Sequence, residues 1–207
     1  MTMRAPLPDA TPTTVGTAPP LVRALQRLES WDGADPIAGL LGSLSGPLGR
    51  EPQRGLLLGR GSGHAVHPVL TDLAIGFWTS SASLDLLRRG RSDDASRALV
   101  GWGVLSALPT AVTGLAEWRE TSDPERRVGA VHATANAAAT ALYAVSWGLR
   151  RSGRQKAGVA TGLAATSVAT VGAYLGGHLA TARKVGSRDA AYEVDGVGPQ
   201  LRRPTAP

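Results

Sequence analysis

ALVGWGVLSALPTAVTGLA, Ala98 to Ala116, contains no charged residue, and neither do Val128–Leu149 and Ala157–Ala182. As helices rising 1.5 Å per residue, each is about the length that crosses a bilayer. A helix on the surface of a soluble protein would show a charged face on every second turn, and these show none. A fourth stretch, Pro68–Leu87, is uncharged apart from Asp72 and Asp85. The reading is four transmembrane helices in an all-α fold.

Composition alone conceals this, because the 207 residues are 43% hydrophobic and the mean hydropathy is near zero. The apolar runs are rich in Ala, Gly, Ser and Thr, hence weakly lipophilic. Small residues also let helix backbones approach closely in lipid, where packing drives association. Gly158 and Gly162, Gly172 and Gly176, and Ala133, Ala137 and Ala141 repeat that spacing. The competing reading is a buried soluble bundle, but three long charge-free runs are hard to hide in so small a soluble protein.

The net charge of +6 does not point to nucleic acid. Arg88, Arg89, Arg91 and Arg97 crowd one connection between helices, and Arg150, Arg151, Arg154 and Lys156 another. Basic residues at helix ends anchor in anionic headgroups. Further bases flank the opposite ends, so sidedness stays open. Membrane lipid is the expected partner, and association into a homo-oligomer is left open.

Residues 1–20 are rich in Pro, Thr and Ala, have no apolar signal core, and read as a disordered tail. In residues 21–60, Leu21, Leu25 and Leu28, then Ile37, Leu40, Leu41 and Leu44, mark two short amphipathic helices. Lying along the membrane interface is their expected fate, with docking onto a partner as the alternative. LLLGRGSG, Leu56–Gly63, lacks the strand and lysine of a phosphate loop and reads as a hinge. Residues 61–182 form the four-helix domain and 183–207 a second tail.

An even number of spans puts the start of helix one, the end of two, the start of three and the end of four on one face. That face collects His64, His67, Glu117, His132 and His178, with Asp72 and Asn136 nearby. Polar groups within spans usually face the interior and are functional hypotheses. Neutral imidazoles from His67, His132 and His178 could ligate haem b. The wider set His64, His67, Asp72, Glu117, His132 and His178 could hold a divalent metal. A proton or quinone relay would exploit the same histidines. Against all three stands a structural role, with hydrogen bonds to headgroups or neighbouring helices. Asn136 would support the site, and Trp78 would pack against a bound ring or simply fill the core. No hydrolase motif and no cysteine nucleophile occurs, so no catalytic residue is assigned.

GHAVHPVLTDLAIGFWTS, SALPTAVTGLAEW, VHATANAAATALYAVSW and VGAYLGGHL together resemble a bacterial four-helix membrane family, the domain of unknown function twenty-two thirty-one. The likeness runs from about Leu21 to Asp195. It implies placement in the cytoplasmic (inner) membrane as a multi-pass protein. Its motif positions fall on His64, His67, Pro68, Asp72, Gly114, Glu117, His132, Asn136, Gly176, Gly177 and His178. Members are often fused to a Rieske-type [2Fe-2S] domain, which implies a role beside membrane electron transfer. Ala65 and Ala74 stand where members usually carry proline. The absence of cysteine excludes an iron–sulfur cluster here, so a soluble redox partner is expected in trans. The expected function is a membrane redox accessory, with a non-catalytic anchor or assembly subunit as the alternative.

Overall fold

A computed structural model describes residues 18–88 and 92–187. The N-terminal tail up to residue 17, the Arg89–Arg91 connection and the C-terminal tail from residue 188 lie outside the described residues. Among the described residues every regular element is a helix: α1 (Pro20–Glu29), α2 (Asp35–Ser45), α3 (Gln53–Leu57), α4 (His67–Arg88), α5 (Asp93–Arg119), α6 (Asp123–Arg151) and α7 (Gln155–Gly177). One π-type turn, His178–Ala182, prolongs α7.

α5 and α6 extend their charge-free runs at both ends, for local reasons. Asp93 and Asp94 open α5 and Arg119 closes it, while Asp123 and Glu125 open α6 and Arg150 and Arg151 close it. Acid at the N-terminus and base at the C-terminus both oppose the helix macrodipole. Pro124 enters the first turn of α6, where its missing N–H costs no helical bond. His132 consequently lies well inside α6, rather than the single turn from its start that the apolar run suggested. Pro68 plays the same part at the head of α4.

α4 packs beside α5 and α7, and α6 packs beside the same two, so α4 and α6 stand diagonally opposite. Ala74, Trp78, Val100, Ala107, Tyr143 and Ala165 fill the space between the four. At the centre Trp78 stacks on Tyr143 across the diagonal, ring centroids 4.1 Å apart and planes within 12°. Trp78 is therefore a core residue. Gly158, Gly162 and Gly172 are buried on α7 against α6, whereas Ala137 and Ala141 face outward, so that alanine stripe does not make the contact expected of it.

Large apolar side chains are exposed on the outer faces of α5 and α7. Trp102, Leu105, Leu108 and Val112 form an exposed stripe along α5, and Val171 and Tyr174 are exposed on α7. Water would disfavour so continuous a stripe, and monomeric soluble proteins seldom show one. Among the described residues two helices, Asp93–Arg119 and Gln155–Ala182, are long and apolar enough to cross a membrane.

α1, α2 and α3 fold back over the end of the assembly where α5 finishes and α6 begins. Leu25 is buried against Val128 and Leu175. Asp35 pairs with Arg127 at 2.8 Å, and Arg54 pairs with Glu120 at 2.7 Å. The amphipathic segment is thus seated on its own chain, a pairing that apolar spacing within one helix could not reveal. Gly59 (φ +68°) turns the chain so tightly that a Cβ would stand 2.0 Å from the His64 carbonyl oxygen.

Candidate functional site

His67 and His132 occupy comparable places on the two diagonal helices. His67 Nδ1 lies 2.9 Å from the Thr110 carbonyl oxygen on α5, and His132 Nδ1 lies 2.8 Å from the Gly172 carbonyl oxygen on α7. A carbonyl only accepts, so in each ring Nδ1 carries the proton and donates it. Nε2 then holds the lone pair. Each ring lies on a glycine: a Cβ on Gly114 would come within 2.6 Å of His67, and one on Gly176 within 2.8 Å of His132.

Their second nitrogens differ. The Asn136 amide donates to His132 Nε2 at 3.0 Å. Thr71 stands 3.5 Å from His67 Nε2, too far for a good bond, and gives its proton instead to the His67 carbonyl at 2.9 Å.

The other predicted residues go elsewhere. His178 donates from Nε2 to Glu29 of α1 at 2.9 Å. Glu117 is buried and accepts from the backbone N–H of Ser187 at 2.8 Å and from that residue's hydroxyl. Asp72 and His64 are exposed, Asp72 on the outer side of α4 and His64 ahead of that helix. Sharing one end of the helices did not bring the six residues together, because helix rotation decides which side chains point inward. Among the described residues no three His, Asp or Glu side chains are grouped to hold a metal ion.

Two features escaped the sequence reading. Glu29 of α1 as the partner of His178 carried no signal at all. The second is a buried polar group at the opposite end of the helices: Arg150 grips Asp85 at 2.6 and 3.0 Å, with side chains 0% and 3% exposed. Ser96 donates to Asp85 at 2.6 Å, Arg150 reaches Ser96 at 2.9 Å and Ser146 at 3.2 Å, and Ser146 donates to the Gly158 carbonyl at 2.6 Å. Asp85 interrupting an apolar helix was its one visible sign. At the periphery, the Arg127 guanidinium holds the exposed Asp35 carboxyl below the usual carboxylate range.

A helical assembly that leaves a continuous apolar stripe exposed along α5 has the build of a membrane protein. Residues 63–189 match the family model described as predicted membrane protein, DUF2231, and the chain belongs to that family. No curated protein matches the chain, and no solved structure does.

Proposed function

We propose that α4 to α7 span the cytoplasmic membrane as a four-helix bundle and that His67 and His132 bind a b-type haem between diagonal helices, making the protein a redox accessory to a soluble partner. The observation that supports this reading is the matching pair of contacts from His67 and His132 Nδ1 to backbone carbonyls. With Nδ1–H donated to a backbone carbonyl, each imidazole offers Nε2 as a ligand, and that hydrogen bond raises its basicity. His67 and His132 would supply the two imidazole nitrogens that hold the haem iron. A divalent metal fits less well, since sites for such ions need three or four protein ligands. Bound haem would supply one-electron chemistry. The chain's own residues would orient the two nitrogens, with Gly114 and Gly176 seating the rings and Asn136 yielding its bond to His132.

The test is a visible spectrum of detergent-purified protein expressed with ample haem. A Soret band lost in His67→Ala and in His132→Ala, and kept in His64→Ala and His178→Ala, is the expected result. A colourless preparation under those conditions overturns the proposal.

One observation favours a second reading. His132 already accepts from Asn136 and donates to Gly172, so it is fully bonded as a rivet between α6 and α7. In that case the protein is a non-catalytic anchor. Leu21, Leu40 and Leu44, exposed on α1 and α2, would then recruit a soluble partner. His132→Ala would lower the melting temperature without altering a spectrum.

A further inference from the structure

The contacts of α4 with α5 recur between α6 and α7 at matching positions. His67, Trp78, Ser81 and Asp85 correspond to His132, Tyr143, Ser146 and Arg150, each pair separated by 65 residues, the interval of Asp85 and Arg150. On the second helices Ser96, Thr110 and Gly114 correspond to Gly158, Gly172 and Gly176, by one shared, slightly shorter interval. Both histidines donate to a carbonyl four residues before the glycine on which they rest. Ser81 donates to the Ser96 carbonyl at 3.1 Å, and Ser146 to the Gly158 carbonyl at 2.6 Å. Trp78 and Tyr143, counterparts in this scheme, are the two rings that stack on each other.

Where the halves differ, they differ in complementary pairs. Asn136 is larger than its counterpart Thr71, and the residue facing it is Gly172, where the first half has Thr110. A Cβ on Gly172 would stand 2.2 Å from Asn136 Oδ1. Arg150 is larger than Asp85, and it faces Gly158 where the first half has Ser96. A Cβ on Gly158 would meet the Arg150 stem at 2.5 Å.

We propose that α4–α5 and α6–α7 are two tandem copies of one helical hairpin, related by a twofold axis along the bundle, and that Asp85 and Arg150 are the asymmetric clasp across it. Two-helix repeats keep the same membrane orientation, so their axis runs along the membrane normal. Trp78 and Tyr143 meet on that axis, and so do Asp85 and Arg150. Because the clasp places opposite charges at one position of the repeat, a hairpin accepts its complement and rejects its own kind. Two first hairpins would oppose Asp to Asp, and two second hairpins Arg to Arg, each desolvated and repelling. The axis also makes His67 and His132 the same residue seen twice.

Transposition tests this in the full chain. The variant Asp85→Arg, Ser96→Gly, Arg150→Asp, Gly158→Ser exchanges the clasp and its surroundings across the axis. By thermal unfolding in detergent, Asp85→Arg and Arg150→Asp alone should each lose roughly 10 °C, as buried charges without partners. The fourfold variant should regain most of that loss, and more of it than Asp85→Arg, Arg150→Asp without the serine–glycine exchange. A fourfold variant no more stable than either single one overturns the proposal. An uncharged cycle decides the matter if the charge variants do not fold. Thr71→Asn should cost several degrees in the native chain and markedly less in a Thr110→Gly background. Equal cost in both backgrounds also overturns it.

Discussion

Gly114 and Gly176 illustrate how much one missing methyl group decides. Each gives the space that a histidine ring fills, so alanine there must push the imidazole off its carbonyl partner. Overpacking of this kind costs roughly 1–3 kcal/mol. Gly114→Ala and Gly176→Ala should each lower the melting temperature in detergent, while Gly177→Ala, with open space around it, should leave it unchanged or slightly raised. Equal effects at 176 and 177 would mean that the ring does not rest where described. The types and approximate positions of these residues were legible in the sequence. Which histidines point inward was not, because four of them near one end of four helices say nothing about rotation. His67 and His132 face neighbouring helices, whereas His178 turns to α1.

At the scale of elements, the four long helices were readable because charge stops and starts so abruptly around them. Their true ends were less so. Charged residues such as Asp123 and Arg151 belong to the helices even though they lie outside the apolar runs. The docking of α1 and α2 required the third dimension, since Leu25 meets Val128 and Leu175 far along the chain. That docking has a pH signature. Asp35 has its carboxyl pKa lowered in the folded state by Arg127, so its contribution is fully present above the unfolded value and lost as pH falls through the lowered one. Protease cleavage within α1 and α2 should stay constant from pH 7 to pH 5 and rise modestly only below about pH 4, because an exposed pair contributes little. Loosening already at pH 6 would assign the docking to another group.

For the molecule as a whole, the exposed apolar stripe on α5 and the family membership agree on a membrane protein. Among the described residues two helices are long and apolar enough to cross a membrane by themselves, and four spans are our proposal. The chain has no cysteine, so single cysteines can report sidedness without background. Ser122→Cys, between α5 and α6, should react with a membrane-impermeant maleimide from one side, and Ser92→Cys and Ser152→Cys from the other. Labelling of all three from the same side would reject the four-span topology.

The long uncharged runs by themselves determined that the chain is helical and suited to lipid, since hydrocarbon admits a backbone only when its hydrogen bonds close within the helix. Tertiary structure alone decided that Trp78 stacks on Tyr143, that Asp85 closes on Arg150, and that only two of four histidines face neighbouring long helices. Those outcomes depend on helix rotation and on which small residue stands opposite which large one, and such facing partners lie far apart along the chain.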